Sequence, residues 1–347
     1  MLEQKIRVGI VGLGGIVRQR HIPGLRLLPG VEIVAVSNST PESTARAAQE
    51  FGIERTFDRW QELVTWDGVD AVLIGTPPSM HREVSIAALD AEKHVFCQAR
   101  MAMDAADARR MLARAEQSDR TAMLCLPPHY LRGDRVIRRL MGEGYLGELY
   151  HLNVRAYSEE YLDPAAPLHW RQNGAISGVN TLVVGMLAEV TQRWVGDARR
   201  VVARAFTATA QRRNGAGQLR RVDRPDSVTV AADMARGGLG SFLFSGIARL
   251  PGLNSIELYG SAGTLKYEYQ PDRLLGGRAG DKELQEIPIT ADEERRWTAE
   301  ADFIKAIRQG RRAPEPSFAD GVRYMEFTEA VFRSAETGKA VDLPLVP

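Results

Sequence analysis

The chain reads as an α/β protein in two parts. The first builds a parallel sheet with helices between its strands; the second is an α+β domain on a mostly antiparallel sheet. Three observations carry this reading. Short apolar runs alternate with helical segments up to residue 126, through short connections, which is the pattern of βαβ units. Pro127-Pro128 ends that alternation. Beyond it, strand-like segments at 199–209, 227–235, 240–247, 255–259 and 264–269 are joined by turns such as Gly237-Gly238 and Gly260-Ser261-Ala262-Gly263, as antiparallel neighbours are.

The organising stretch is residues 5–20, KIRVGIVGLGGIVRQR. Ile6, Val8, Ile10 and Val11 mark a strand buried on both faces. Gly12, Gly14 and Gly15 follow, then the helical start Ile16-Val17. Strand, glycine turn and helix N-terminus together form a phosphate site, because glycine lets the backbone approach the anion and the unpaired amides point at it. Gly12-x-Gly14-x-x-Val17 meets the dinucleotide fingerprint at its first two places and has valine at the third. The next strand, 31–37, ends where the fingerprint expects a ribose-binding carboxylate. Asn38, Ser39 and Thr40 stand there instead. A carboxylate would repel the 2′-phosphate of NADP, so its absence favours NADP or loose discrimination between NADP and NAD.

The remaining elements follow in order. Thr40 caps a helix over 41–51. Strand 69–75 (VDAVLIG) closes on Thr76-Pro77-Pro78, and helix 80–91 leads to strand 94–97. Helix 104–118 and strand 121–126 complete a Rossmann-type domain over 1–126. The second domain, 127–347, opens with helix 134–141 and strand 149–157 and ends with helices near 299–309 and 320–337, which are available to pack back on the first domain. Residues 211–224, polar and arginine-rich, are expected to be a mobile excursion.

Composition excludes several classes of function. At 347 residues there is room for two cores. With 45 basic against 44 acidic residues, neither nucleic acid nor a membrane surface is an expected partner. Cys97 and Cys125 sit at the ends of buried strands, as small hydrophobes rather than a disulfide or metal pair. With no signal peptide or membrane-length apolar run, the expected address is the cytoplasm.

Taken together, VGIVGLGGI at 8–16, Thr76-Pro77-Pro78 with His81 beyond it, Lys93-His94-Val95-Phe96-Cys97, Gly144-x-x-Gly147-Glu148 and Gly260-x-x-Gly263-Thr264 resemble the glucose–fructose oxidoreductase and inositol dehydrogenase family, Gfo/Idh/MocA, over essentially the whole chain. The resemblance implies a nucleotide-binding domain followed by a large open sheet, and NAD(P)-dependent chemistry on a carbinol of a sugar, polyol or related small molecule. Together with the glycine turn, it marks Gly12, Gly14, Gly15, Ile16, Asn38, Ser39, Thr40, Thr76, Pro77, Pro78, His81 and Gln98 as cofactor-binding.

The family's reacting groups are missing. Where it places Glu-Lys-Pro, this chain has Gln98-Ala99-Arg100, and no lysine lies between Lys93 and Lys266. Arg100 is too basic to exchange a proton near neutral pH. Where the family carries Asp-x-Gly-x-His-x-x-Asp on a helix, alignment on Ser177-Gly178-Val179 and Gly185 sets Val183, Leu187 and Val190. Hydride transfer from an alcohol needs a proton acceptor, and the remaining candidates are His129, Tyr157 and His169, with Tyr161, Asn180 and Glu189 nearby in sequence. Three readings stay open: an oxidoreductase with a replacement acid–base group, a non-redox enzyme (elimination or hydrolysis) on the same scaffold, and a catalytically inactive ligand-binding homologue. A sheet with helices on one face only also implies a homodimer or homotetramer through the other.

Overall fold

The computed structural model describes residues 5–346. In chain order the first elements are β1 (Ile6–Val11), a π-turn (Val17–His21) running into α1 (Ile22–Arg26), β2 (Val31–Ser37), α2 (Pro41–Phe51), β3 (Arg55–Thr56), α3 (Trp60–Thr65), β4 (Ala71–Ile74), α4 (Pro78–Asp90), β5 (His94–Gln98), α5 (Ala105–Glu116) and β6 (Ala122–Cys125). Then come α6 (Asp134–Gly142), β7 (Leu149–Tyr157), α7 (Gly174–Ser177), α8 (Val184–Val195), β8 (Ala198–Phe206), β9 (Gln211–Arg213), β10 (Leu219–Arg221), β11 (Ser227–Met234) and β12 (Leu239–Ser245). β13 (Ser255–Gly260), β14 (Gly263–Glu268), β15 (Arg273–Arg278), β16 (Gln285–Glu286), α9 (Ala299–Arg308), α10 (Phe318–Thr337) and β17 (Val341–Asp342) complete the chain. The described residues form two compact units, one of 5–126 and 298–322, the other of 127–297 and 323–346.

The first unit is a parallel sheet ordered β3-β2-β1-β4-β5-β6. The order reverses between β1 and β4, and the carboxyl ends of strands flanking such a reversal form a ligand crevice. Local chemistry sets the boundaries. Thr40 and Ser43 form a reciprocal capping box at the start of α2, Pro41 occupies its first turn, and Gly52 at φ 58° ends it. α9 belongs to this unit, with Phe303 stacked on Phe96 of β5 at 5.0 Å.

The second unit is a nine-stranded sheet ordered β16-β15-β14-β13-β7-β12-β11-β8-β17. It is antiparallel except at its centre, where β7 and β12 run parallel. Alternation sends Val154, Val230, Phe242 and Ile256 inward. Phe242 meets Phe327 of α10 at 5.1 Å, and Tyr267 meets Trp194 of α8 edge-on at 6.0 Å. The register places Arg200, Val202, Ala231, Ser241, Asn153 and Glu257 on the opposite face.

Two sequence expectations need correction. Residues 211–224 are not a mobile excursion: β9 and β10 pair as a hairpin. Buried Arg212 donates from it to the carbonyls of Tyr161 (2.7 Å), Asp163 (2.6 Å) and Ala166 (3.0 Å). Its polarity suggested solvent, but the guanidinium satisfies a loop's carbonyls instead. β15 also went unread, because RLLGGR lacks alternation. Its Gly276 packs closely against Ile287, whose Cδ1 would lie 2.5 Å from a Cβ there.

Candidate functional site

In the first unit, the turn after β1 and the ends of β2 and β4 wall a cleft of about 920 Å³ including its open mouth. Gly12 sits at φ 83°, and a Cβ there would lie 2.7 Å from the Thr76 amide, so the turn packs directly against the end of β4. A Cβ on Gly15 would meet nothing within 4 Å, so Gly15 is free of that packing constraint. Gly15 and Ile16 open the following helix, whose first amides have no intrahelical acceptor. Ser37 Oγ and Thr76 Oγ1, both on residues lining the cleft, are buried without a hydrogen-bond partner. Orphaned hydroxyls beside a glycine turn fit the ribose and phosphate oxygens of a dinucleotide.

Asn38 and Thr40 have a scaffolding use. Asn38 Oδ1 accepts the Leu13 N–H at 2.6 Å and its Nδ2 donates to the Ser43 carbonyl at 3.2 Å, clamping the glycine turn to α2. Thr40 caps that helix. Ser39 and Thr40 are exposed; Asn38 and Ser39 line the cleft, as does Arg18, which also pairs with Glu50. Pro77 caps α4, and Pro78 occupies its first turn.

Behind the cleft, His81 is fully buried. Its Nε2 faces the Thr76 carbonyl (2.7 Å) and its Nδ1 the carbonyls of Arg100 (2.9 Å) and Met101 (3.2 Å). It joins the loops after β4 and β5, and burial holds its pKa below the usual range. Gln98 is buried as well, its amide meeting His21 Nε2, while His21 Nδ1 meets Glu300 of α9 at 2.5 Å. An amide donating to Nε2 leaves the ring proton on Nδ1, directed at the carboxylate. Sequence reasoning missed His21 and Glu300; 279 positions separate them, and no local pattern signals the pair.

In the second unit, Leu187 and Val190 of α8 are buried in apolar packing. Glu189, on the same helix, takes Arg193 at 2.8 Å; Arg193 also pairs with Asp134, which accepts from Trp194 Nε1 (2.8 Å) and Arg295 (3.0 Å). His129 lies against this network, its Nδ1 3.4 Å from Glu189. Burial first, then the guanidinium groups of Arg193, Arg295 and Arg138, push the imidazole down to about 2. At 3.4 Å the carboxylate does not offset them, and the ring stays neutral with Nε2 buried and unpartnered.

Two of the three acid–base candidates, His129 and Tyr157, lie on opposite faces of the sheet. His129 is on the side of the sheet that carries α8. Tyr157 ends β7 in the alternation of Asn153 and Arg155, on the opposite face, with both backbone groups held by Asn254. His169 caps the turn Trp170–Gln172: its Nδ1 accepts the Arg171 N–H at 3.2 Å, which fixes the neutral proton on Nε2. Tyr161 lies beside it at 6.3 Å between ring centres.

A nucleotide cradle on a doubly wound sheet and a large, half-covered second sheet define a dinucleotide-dependent oxidoreductase scaffold. Residues 6–125 match the family model for the oxidoreductase family's NAD-binding Rossmann fold, and residues 135–266 match the GFO/IDH/MocA C-terminal domain; the chain belongs to the Gfo/Idh/MocA family. It is 25% identical to levoglucosan dehydrogenase of Pseudarthrobacter phenanthrenivorans, over 99% of both chains. It is 27% identical to 1,5-anhydro-D-fructose reductase of Ensifer adhaerens, over 97% of this chain and 98% of that one. The solved structure of a levoglucosan dehydrogenase complex with NADH and L-sorbose superposes with a TM-score of 0.88 at 23% identity, covering 99% of this chain and 100% of that one. Among the described residues no helix is long and apolar enough to cross a membrane, and no cluster of His, Cys, Asp and Glu is suited to a metal ion.

Proposed function

We propose that the protein is an NAD(P)-dependent oxidoreductase acting on a sugar, polyol or related small carbonyl or hydroxyl compound without the family's lysine–histidine pair. The observation that carries this is the cradle: the turn Gly12-Leu13-Gly14 and the orphaned hydroxyls of Ser37 and Thr76 on one cleft. Bound nicotinamide supplies the hydride acceptor or donor. His169 is the residue proposed to hold the reacting oxygen. Its Nδ1 accepts the Arg171 N–H at 3.2 Å, which holds the ring in one orientation. The cofactor reading extends to NADP binding at least as well as NAD, since residues 38–40 hold no carboxylate and Arg18 lines the same cleft.

Nicotinamide absorbance followed in both directions over a panel of aldoses, ketoses, inositols and anhydrosugars tests this. Slow turnover, and its loss on His169→Phe, are expected. Turnover unchanged in His169→Phe would assign the role elsewhere. NAD bound about tenfold tighter than NADP, about 1.4 kcal/mol, contradicts the cofactor preference. A second reading, a binding homologue without net redox chemistry, is favoured by one observation: Leu187 and Val190 pack as ordinary core. Nucleotide binding with no turnover on the whole panel selects it.

A further inference from the structure

The second unit holds a cavity of its own, about 680 Å³ including its open mouth. It opens between the start of α8, the last turns of α10, the adjoining ends of β8 and β11, and residues 221–225. Val184, Val228 and Val331 give it a buried apolar floor. The mouth is polar, and its groups lack partners. Asp223 uses Oδ2 to accept the Gly174 N–H at 3.0 Å, and its Oδ1 accepts nothing among the described residues. The side chains of Thr207, Arg221 and Glu336 make no hydrogen bond or ion pair there either. Phe332 flanks them, with the Arg224 guanidinium 4.6 Å from its ring centre and the Arg224 Nε buried without an acceptor.

This rim selects its ligand by chemistry. Asp223, Glu336 and Arg221 line the mouth, and the Arg224 guanidinium, outside the lining on the Phe332 ring, interacts with both carboxylates, so neither an acid nor an amine is favoured by net charge. Unpaired carboxylate oxygens accept hydroxyl protons, guanidinium groups donate to hydroxyl oxygens, and an aromatic ring packs against apolar C–H faces. We propose that this cavity is a binding site for a neutral polyhydroxylated small molecule of monosaccharide size, held by Asp223, Glu336 and Arg221 over the apolar floor. All residues lining the nucleotide cleft belong to the other unit, and the site is independent of whether the chain turns over its nicotinamide.

Calorimetric titration of the full-length protein with D-glucose, myo-inositol, glucuronate and glucosamine tests it, on wild type, Glu336→Gln and Ala335→Trp, the last designed to fill the mouth. Expected is saturable binding of the neutral compounds, weakened at least about tenfold in both variants while NADH binding and the melting temperature stay unchanged. Neutral polyols that bind all three proteins equally, or bind none of them, overturn the assignment. So does tighter binding of glucuronate or glucosamine than of glucose. If Ala335→Trp does not fold, Glu336→Gln, at an exposed position, decides alone.

Discussion

Single residues separate packing from ligand binding in the glycine turn. Gly12 is left-handed and crowded by Thr76, whereas a Cβ on Gly15 would stand in open space. Gly12→Ala should therefore cost about 1–3 kcal/mol of stability in chemical denaturation. Gly15→Val should leave the denaturation midpoint unchanged and weaken NADH about tenfold by fluorescence titration, because only a ligand would meet the new side chain. His94 carries a pH dependence. Burial, then Arg120, holds it down to about 4, and its Nδ1 accepts the Thr121 N–H at 2.9 Å. A histidine depressed below its ordinary value of 6.5 takes up its proton first in the unfolded chain. Stability is thus complete above about pH 6.5 and falls as pH drops towards about 4, by about 1–3 kcal/mol once screening of this half-buried group is allowed for. His94→Asn, which keeps an acceptor for Thr121, should flatten that slope in urea titrations at pH 7.5 and 5; an unchanged slope would assign it to other groups.

At the scale of elements, the β9–β10 hairpin holds a loop by one side chain. Arg212 satisfies three carbonyls between Tyr161 and Ala166. Arg212→Ala leaves those acceptors without their donor and should cost about 2–3 kcal/mol. The expected signature is faster amide exchange and proteolysis confined to residues 158–172, with the β1–β6 sheet unaffected. Helix α8 makes a different point. Val183, Leu187 and Val190 are proposed to stand at the family's polar positions, and the latter two are buried. Ala99→Lys alone should not create robust turnover on ordinary polyols, since groups that act as a unit do not recover singly. A large gain from that one change, measured by nicotinamide absorbance, would show that α8 is not the limiting element.

For the molecule as a whole, the uncovered face of the nine-stranded sheet bears on assembly. Val202, Phe206, Leu239 and Tyr259 are exposed on it, among Arg200, Arg204 and Ser241. Apolar side chains spread over one sheet face suit pairing with a second copy. Sedimentation at micromolar concentration should show a dimer or larger species, and Val202→Glu with Leu239→Glu should shift it to monomer. A monomeric wild type would remove this face from consideration as an interface.

Local signals accounted for the parallel sheet, the glycine turn, the α2 cap and most strands of the second unit. Periodicity, turn residues and capping chemistry act over a few positions and are legible in sequence. Motifs likewise sufficed for the family. What required the tertiary structure was the state of each polar group. His129 looked like an available base and is a neutral, buried ring beside arginines. Asn38 looked like a ribose contact and clamps the glycine turn. Gln98 lies behind the cleft on the His21–Glu300 pair, and Arg212 closes a loop from within an arginine-rich stretch. Desolvation and hydrogen-bond partnership are set by groups tens to hundreds of positions away, so the residues that fold the chain could be read in order, while the use made of its polar side chains was decided by what the fold packed against them.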